Sequence, residues 1–330
     1  MPWSRVLTFD DPLHYQAAIR AGEWQIYPTK KGQFRAELTQ ITLNQLWMQS
    51  FHHELPQIQT GTVTANRKVI GFLTEVRQPA IHHRGDELSP DDVIVNTDVM
   101  HIRAEGDCRY GGMSLPQGGF DVACQAIIGG QFEQPSFKSV VRPNPELVKP
   151  LVNLQKSVCL IAKISPELFE LPEVVRAFEQ NSIHLMVRCL TEGTFSTMSS
   201  GAQRHEAIVK RFEEFLEANP NTPLYLTEIC AAVGAAERTM RAACEDHLGM
   251  GPIRYLALRR MHLVRRALLR TDSSTTTVTR IATDHGFWEL GRFAVAYRAL
   301  FGEPPSATLR RPPECRDSRS NRPASLTQMV

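Results

Sequence analysis

Residues 278–311 read VTRIATDHGFWELGRFAVAYRALFGEPPSATLRR and have the parts of a helix-turn-helix unit. Apolar residues at helical spacing predict a short first helix, and Gly286 then permits the positive φ that a tight turn requires. A second helix is predicted over residues 289–300, and Pro304-Pro305 ends the unit because proline cannot continue a helix. Such a second helix has the right size to enter a DNA major groove.

A copy of this pattern lies upstream. LTEICAAVG at residues 226–234 aligns with VTRIATDHG at residues 278–286, with the isoleucine and the final glycine in the same positions. Thr227 and Thr279 lie near the two helix starts, where a threonine hydroxyl caps free N–H groups. After the upstream turn a second helix is predicted over residues 236–248. Two such units in tandem, joined by one long helix, are much more specific than a single one.

The composition limits the classes of protein to consider. A chain of 330 residues is long enough for two or three domains. No apolar run reaches the roughly 18 residues that a membrane span needs, and the start of the chain lacks the apolar core of a signal peptide. The 7 cysteines form no CxxC pair, which argues against a zinc ribbon or a disulfide framework. We expect buried reduced thiols and a cytoplasmic protein.

The net charge of +2 is unevenly distributed. Residues 204–311 hold 16 Lys and Arg against 12 Asp and Glu, whereas residues 1–203 hold 18 against 21. Of the 16 basic residues, 15 are arginine, the side chain best suited to paired hydrogen bonds with phosphate and guanine. The excess is modest, so it supports a DNA-binding assignment without establishing one.

The first half has a different pattern. Short segments alternate apolar and polar residues between turn signals, as strands do. The predicted strands cover residues 33–39, 45–51, 60–65, 69–73, 92–96 and 110–115. They favour a small antiparallel barrel or sandwich, which can enclose a small ligand. Apolar residues at helical spacing then predict helices over residues 120–128, 145–162 and 173–190.

Residues 204–311 resemble the DNA-binding domain of the AraC/XylS family of transcription regulators. GFWELGRFAVAYRALFGEPPSATLRR is close to the C-terminal signature of the XylS-like branch, with its GRF-Y-R-FGE-PS-TLR pattern. HLGMGPIRYLALRRMHLVRRALL at residues 247–269 is similar to the segment between the family's two motifs. The matching residues there are Gly249, Pro252, Tyr255, Leu256 and Arg260. The resemblance covers roughly the last third of the chain, and the first half resembles the cupin-like arms of related regulators more loosely.

The resemblance implies an α+β protein. It has an N-terminal antiparallel β-barrel of cupin-like type with accessory helices, and an all-α C-terminal domain with two helix-turn-helix motifs, at residues 226–248 and 278–301. The expected divisions are a β-rich sensor domain at 1–135, a helical packing or dimerisation segment at 136–193, a Ser/Thr-rich linker at 194–203, the DNA-binding domain at 204–311 and a disordered tail at 312–330. A long helix, here Pro252 to Leu269, joins two recognition helices that enter successive major grooves of DNA.

Both recognition helices offer outward residues for base contacts. Those of the first helix are Ala236, Glu237, Arg238, Arg241 and Ala242. Those of the second helix are Glu289, Leu290, Gly291, Arg292 and Val295. The strongest candidates are Arg238, Arg241 and Arg292, because arginine can grip O6 and N7 of a guanine, worth about 1–3 kcal/mol of discrimination per pair. Glu237 either accepts from a cytosine or only complements the helix dipole.

The sequence also suggests roles for other residues in and around the second recognition helix. The Gly291 position would let the helix backbone approach DNA closely, which offsets the cost of a glycine inside a helix. The Trp288 indole is expected to pack on the domain rather than stack on a base. The aromatic core is expected to contain Phe287, Phe293, Tyr297 and Phe301.

Along the joining helix, Arg259, Arg266 and Arg270 form one stripe. Two interpretations stay open for these arginines. They form a solvated helix face, or some of them contact DNA phosphates and supply affinity that depends on salt but not on base sequence.

Two histidine pairs raise the question of a metal site. His52-His53 and His82-His83 could meet His101 and Glu54 inside a barrel. Adjacent strand residues point to opposite faces, so each pair offers only one inward ligand, and no G-x5-H-x-H run is present. Surface or hydrogen-bonded histidines are therefore expected, with no metal and no cofactor. A metal-dependent cupin enzyme is left as a distant alternative, since no other catalytic motif occurs.

These patterns predict a sequence-specific transcription regulator, not an enzyme, that responds to a small molecule and acts as an activator. The expected partners are double-stranded DNA, RNA polymerase, a small-molecule effector of unknown identity and a second copy of the chain. Effector-binding residues cannot be named from the sequence. The alternative is a regulator whose N-terminal domain only dimerises or binds a protein partner.

Overall fold

The computed structural model describes residues 2–95, 99–135, 139–196, 199–220, 222 and 224–311. The predicted disordered tail at 312–330 and Cys315 lie outside the described residues. The other six cysteines are free thiols, and five of them are buried, as expected. Within the described residues, no helix combines the length and the apolar character that a membrane crossing requires.

The β-structure lies in the first two thirds of the chain. The strands are β1 (Trp3–Phe9), β2 (Gly22–Pro28), β3 (Ala36–Thr42), β4 (Trp47–His53), β5 (Gln57–Val63), β6 (Arg67–Leu73), β7 (Ile81–His83), β8 (Asp86–Glu87), β9 (Val93–Val95), β10 (Val99–Ala104), β11 (Cys108–Pro116), β12 (Val140–Arg142) and β13 (Thr194–Phe195).

Helices are interspersed early and dominate the last third. They are α1 (Pro12–Ala18), α2 (Gln117–Ile128), α3 (Pro145–Ile164), α4 (Pro172–Thr191), α5 (Ser200–Ala218), α6 (Leu226–Val233), α7 (Glu237–Leu248), α8 (Pro252–Arg270), α9 (Val278–Asp284), α10 (Leu290–Phe301) and α11 (Pro305–Arg310). A 3₁₀ turn at Pro166–Glu170 separates α3 from α4. The α+β assignment is confirmed at this level.

The strands form two open antiparallel sheets. The first sheet has the order β1-β3-β4-β11-β6-β9-β12-β13, and the second has the order β2-β5-β10-β7-β8. The prediction of a closed barrel is wrong, because closure needs hydrogen bonds between edge strands, and the described residues show none that join the two sheets. Apolar residues of both sheets, such as Leu73 and Ile94 from the first and Ile81 and Ile102 from the second, pack between them as in a sandwich.

The other face of the first sheet is covered by the helices α2, α3 and α4. Met48, Ile70 and Met113 of the sheet share one core with Leu151 of α3 and Val187 of α4. This core explains why the predicted helices over 145–162 and 173–190 are amphipathic, since each buries one apolar side on the sheet.

One buried carboxylate fixes α4 to the β3–β4 hairpin. Glu179 accepts hydrogen bonds from the backbone N–H groups of Gln45 and Leu46, at 2.6 and 3.0 Å, and from Nδ2 of Asn44 at 2.8 Å. A carboxylate with three donors is satisfied although it is buried, so this contact holds the helix in register with the sheet.

Contacts divide the described chain into two compact units. The first unit contains the residues up to 220 together with 224–258, and the second contains residue 222 together with 259–311. The division falls inside α8. The predicted linker at 194–203 is reduced, because β13 pairs with β12 and Ser200 already begins α5. Thr197 and Met198 of that linker lie outside the described residues.

Candidate nucleic-acid interface

The first helix pair is α6 and α7. The start of α6 is held by Glu228, whose carboxylate accepts from the backbone N–H of Tyr225 at 3.0 Å. Thr227 was expected to cap this helix, but Tyr225 occupies the cap position instead. Gly234 ends α6 with a φ of 67°, the left-handed conformation that glycine adopts without steric cost. The tight turn predicted at Gly234 is present.

Helix α5 supports the turn between α6 and α7. The Arg211 side chain donates through Nε to the carbonyl of Val233 at 2.8 Å, which satisfies an unpaired carbonyl at the end of α6. Buried Ile208 and Phe212 of α5 face the pair, and α5 packs against both α6 and α7. The turn between α6 and α7 is therefore fixed by packing and by a hydrogen bond.

Helix α7 separates into a buried and an outward face. Met240, Ala243 and Cys244 are buried, as the helical spacing predicted. Among the five predicted base-contact residues, four are exposed and Ala242 is partly exposed. The exposed residues are Ala236, Glu237, Arg238 and Arg241.

The far end of α7 contacts the second sheet within the first unit. The His247 ring lies against Gly85 in the turn between β7 and β8, and Arg103 of β10 lies against Gly249, which follows α7. The outward arginines are near the start of the helix, so these contacts hold its opposite end.

The second helix pair is α9 and α10. Thr277 caps α9, with its hydroxyl accepting from the N–H of Arg280 at 3.2 Å, so the capping threonine is Thr277 rather than the expected Thr279. Gly286 has a φ of 81° and makes the turn that the sequence predicted. Gly302 ends α10 in the same left-handed conformation.

The core of the second pair is a ladder of aromatic rings. Ring centroids lie 4.9 Å apart for Phe287 and Phe293, 5.6 Å for Phe293 and Tyr297, and 4.5 Å for Tyr297 and Phe301. Phe293 and Tyr297 are buried and the other two are partly buried in the same cluster. The four aromatic residues predicted as core are therefore confirmed as core.

A polar network closes this core beside α11. The Tyr297 hydroxyl donates to Oγ1 of Thr308 at 2.9 Å, and Thr308 donates to Oε1 of Glu303 at 2.9 Å. Arg265 of α8 and Arg311 reach the same carboxylate at 3.0 and 2.7 Å. Although burial opposes it, hydrogen bonds and the two arginines lower the pKa of Glu303. The anionic carboxylate thus joins α8, α10 and α11.

The outward residues of α10 are less uniform than those of α7. Glu289, Gly291, Arg292 and Val295 are exposed, whereas Leu290 is partly buried against the aromatic core. The expectation that Trp288 packs on the domain is wrong, because its side chain is 68% exposed. The exposure of this large ring just before α10 was missed, because sequence spacing cannot show whether a turn residue finds a neighbour.

Helices α7 and α10 carry the same electrostatic arrangement near their starts. Arg241 pairs with Glu237 at 2.6 Å, one turn before it, and Arg292 pairs with Glu289 at 2.7 Å. Exposed pairs of this kind stabilise a protein by about 0–1 kcal/mol, so a guanidinium can leave its carboxylate for a stronger acceptor at little cost. In this structure the ion pair holds the Arg241 side chain beside Glu237.

The comparisons with known proteins match this part of the chain. Residues 229–311 match the family model described as a helix-turn-helix domain. The chain is 32% identical over 136 residues to XylDLEGF operon transcriptional activator 2 of Pseudomonas putida, a match that covers 39% of this chain and 87% of that relative. The chain belongs to the AraC/XylS family. This is a family of DNA-binding transcription regulators.

Similarity to other AraC/XylS relatives extends further along the chain. XylDLEGF operon transcriptional activator 3 of Pseudomonas putida is 28% identical over 226 residues, which is 68% of this chain and 64% of that relative. Among the curated relatives the match can be as short as 32% of the relative's length. The crystal structure of the AraC-like transcriptional activator CuxR aligns over 81% of this chain and 95% of that chain, at 14% identity and a TM-score of 0.39.

The three arginines predicted to form a stripe along α8 differ in exposure. Arg259 is 6% exposed, Arg266 is partly buried and Arg270 is exposed. The predicted stripe is therefore not a uniformly exposed face, because Arg259 lies on a buried side of the helix. A guanidinium at 6% exposure cannot reach a phosphate without leaving its place, whereas Arg270 is accessible.

Four histidines of the N-terminal sheets, His52, His53, His82 and His83, have ordinary structural partners. His53 is buried and its Nδ1 lies 3.1 Å from the carbonyl of Leu55, while His83 is buried with Nε2 at 3.0 Å from the hydroxyl of Ser139. His52 and His82 point to the other faces, toward Asp107 and Glu105. Within the described part of the chain, no three His, Cys, Asp or Glu side chains are grouped to hold a metal ion.

Proposed function

We propose that this AraC/XylS protein is a sequence-specific activator of transcription whose two helix pairs are both helix-turn-helix units. The observation that carries the proposal is the outward placement of arginine near the start of both α7 and α10, beyond a glycine turn in each pair. The start of a recognition helix is the part that contacts base edges in a major groove.

The proposed base readers are Arg238 and Arg241 in the first pair and Arg292 in the second. Ala236 and Ala242 lie beside the first two and leave room for the DNA, with Glu237 as the partner of Arg241. Gly291 and Val295 flank Arg292, and exposed Val295 offers an apolar contact to a thymine methyl group. The base-contact roles of Glu289 and Leu290 stay predictions, because Leu290 is partly buried against the aromatic core.

Phosphate contact is proposed for Arg270, and for Arg266 only after a change of side-chain conformation. Arg270 is exposed at the end of α8 and carries a charge that DNA phosphates attract. The phosphate role that the sequence suggested for Arg259 is not proposed further, because of its burial.

The proposed effector site is the cavity between the two sheets. Its volume is about 70 Å³, and its lining is mostly apolar, with Trp24, Phe51, Leu73 and Ile102 among its walls. Water needs roughly 10–15 Å³ of such space, so the cavity has room for a small molecule. A cavity walled by both sheets supports a ligand-responsive regulator more than one whose N-terminal domain has no ligand.

Two further partners belong to the proposal. A second copy of the chain is suggested by Leu160 and Ile164, which lie one helical turn apart on α3 and are 55% and 67% exposed. The same apolar residues also suit the alternative, in which the N-terminal part only dimerises or binds a protein. RNA polymerase is proposed because the relatives matched are activators by name.

Binding-site selection from random DNA tests the proposal. We expect enrichment of a site with two separated guanine-containing elements, one for each helix pair. Arg238→Ala is expected to relax base preference in one element only, with a loss of about 1–3 kcal/mol. Arg109→Ala is the matched control, because Arg109 is also exposed but lies on β11, far from both helix pairs in the sequence. Selection of no sequence, or of one element that both helix pairs share, contradicts the proposal.

A further inference from the structure

The outward side of α10 is apolar along its length. Gly291, Val295 and Ala299 follow one another at intervals of about one helical turn, and all three are exposed. At about 100° per residue they lie opposite the buried aromatic residues that hold the helix on its core. Trp288 precedes the helix at similar spacing, and its side chain is 68% exposed, while Val295 is 72% exposed. We call these four residues, Trp288, Gly291, Val295 and Ala299, the apolar stripe.

The position of the apolar stripe indicates a contact surface. The outward side of a surface helix is ordinarily polar, and single exposed apolar residues are common, but four at helical spacing on one side of a helix mark an interaction site. Arginines border the stripe on both sides. The Arg292 side chain is 85% exposed, and Arg298 is exposed as well. The surface is therefore apolar at its centre and cationic at its edges.

The charge of the surrounding unit indicates what covers the stripe. Residues 259–311 contain 10 arginines and 4 acidic residues, whereas residues 204–258 contain 6 basic and 8 acidic residues. The basic excess found over residues 204–311 therefore lies entirely in the unit that carries the stripe. Such a unit attracts a polyanion. Among the partners of a transcription regulator, DNA is the one whose charge fits.

The chemistry of the stripe selects one feature of DNA. Base pairs present hydrogen-bond donors and acceptors in the major groove, and thymine adds an apolar C5-methyl group. The side chain of Val295 can pack on such a methyl group but offers it no hydrogen bond. Gly291 keeps the surface low, since a Cβ added there would meet nothing within 4 Å among the described residues. The helix backbone can therefore approach the base edges closely at this point.

We propose that the apolar stripe reads thymine methyl groups, so that the DNA element bound by the second helix pair contains thymines beside the guanine assigned to Arg292. This inference rests on the proposed function, in which α10 enters a major groove, and adds the base that it recognises there. Val295 and Trp288 supply the apolar contact, and Gly291 permits the close approach. The first pair differs, because its outward side offers Arg238 and Arg241.

Uracil substitution in the selected DNA site tests the inference on the side of the DNA. Deoxyuridine keeps the base pairing of thymidine and removes only the methyl group. In the element of the second pair, we expect binding to weaken about fourfold for each contacted methyl group, from the usual effect of burying one such group. The same substitution in the element of the first pair is expected to change the affinity little. Fluorescence anisotropy of labelled duplexes with the full chain measures both.

Valine variants connect the methyl group to the stripe. Val295→Ala is expected to weaken binding to the thymine site and to abolish the effect of uracil at one position. Trp288→Ala is expected to do the same at a different position. Val122→Ala is the matched control, because Val122 is 71% exposed on the outward side of α2, in the other unit. It is expected to leave both affinities unchanged.

A glycine variant tests the close approach. Gly291→Ala is expected to weaken DNA binding severalfold, because the added methyl group holds the helix away from the bases. It should not lower the melting temperature, because the new Cβ enters open space and alanine favours a helix. Gly118→Ala is the matched control. Gly118 is also the second residue of its helix, and a Cβ there also meets nothing within 4 Å in the described structure.

The outcomes separate this inference from the proposed function. If uracil in the second element never weakens binding, or if Val295→Ala leaves the effect of uracil in place, the inference is overturned. The proposed function still stands in that case, provided that Arg238→Ala relaxes one element of the selected site. If Val295→Ala and Gly291→Ala leave DNA affinity unchanged but lower transcription from a reporter, the stripe contacts RNA polymerase and the inference is again overturned. If the full chain selects no DNA sequence, the proposed function and this inference both fail.

Discussion

The two helix pairs differ in what supports them. The first pair belongs to the unit that contains both sheets, and α7 ends against the β7–β8 turn and strand β10. The second pair rests on α8, α11 and its own aromatic ladder in a separate unit. Strands β7 and β10 also supply Ile81 and Ile102 to the cavity wall. Packed residues of β7 and β10 therefore connect the cavity to α7. We expect the DNA affinity of the first pair to respond to a ligand in the cavity, and the DNA affinity of the second pair to stay constant.

The turn between β7 and β8 is the most constrained point of that route. Arg84 and Gly85 have φ values of 53° and 89°, as in a two-residue hairpin turn of type I′. Arginine is an uncommon residue at positive φ. Here Arg84 pairs through Nη1 with Glu206 of α5 at 2.5 Å, and both side chains are largely buried. The ion pair offers a reason for a backbone conformation that glycine or asparagine would adopt more easily.

The largest expected effect comes from removing one core phenylalanine from each unit. Phe212→Ala and Phe293→Ala should each cost about 3–5 kcal/mol, because both rings are buried and leave cavities. Hydrogen exchange should accelerate in α7 and in the sheets for Phe212→Ala, and in α10 alone for Phe293→Ala. Each variant is the control for the other. Loss of protection in both helix pairs from either change would show that they are not separately supported.

Acid should also distinguish the two pairs. Burial lowers the pKa of His83 to about 3, and the charge of Arg84 adds to this effect. Burial lowers the pKa of His101 to about 4, again helped by Arg84, and lowers the pKa of His247 to about 4, where His101 and His205 add to the effect and Asp246 opposes it. Because these pKa values are lower in the folded state, the unfolded chain takes up protons that the folded unit excludes.

The stability contribution of these histidines is fully present above the ordinary pKa of 6.5 and is lost as the pH falls from there, toward about 4 for His101 and His247 and toward about 3 for His83. Protection of α7 against hydrogen exchange should therefore fall across this range faster than protection of α10, after correction for intrinsic exchange rates. His247→Gln should weaken the dependence in α7. A parallel loss in both helices would contradict the assignment of the effect to this cluster.

The contrast between the pairs also shows what the sequence could predict. Local signals were sufficient for both glycine turns, for the buried side of α7 and for the aromatic ladder, because helical spacing and glycine conformation are properties of neighbouring residues. The open sheets were not predictable in the same way, since β2 pairs with β5 and β1 with β3 across intervening segments. The burial of Arg259 and the exposure of Trp288 depend on which neighbours the fold brings near, and one sequence does not contain that information.

A smaller effect is expected from the ion pair that joins the sheets to α5. Glu206→Gln leaves the largely buried Arg84 without its carboxylate, at a cost of about 2 kcal/mol. Glu303→Gln is the matched change in the second unit, where Glu303 pairs with Arg265. We expect Glu206→Gln to alter the response of a reporter gene to the ligand, with little change in basal DNA affinity. We expect Glu303→Gln to lower basal DNA affinity while the response to the ligand is retained. Chemical denaturation measures the stability cost. If Glu206→Gln lowers basal DNA affinity and Glu303→Gln alters the ligand response instead, the proposed difference between the two helix pairs is wrong.

The smallest expected effect concerns salt. Arg270 is exposed at the end of α8 and belongs to the second unit, so its phosphate contact would strengthen binding by the second pair without adding base preference. Arg270→Ala should reduce the slope of log affinity against log salt concentration by about 1 and leave the selected sequence unchanged. Arg259→Ala should leave the slope unchanged, because that buried side chain has no access to phosphate, while lowering the free energy of unfolding. The opposite result is an unchanged slope for Arg270→Ala and a reduced slope for Arg259→Ala. It would mean that the face of α8 that contacts DNA is not the face that is exposed in this structure.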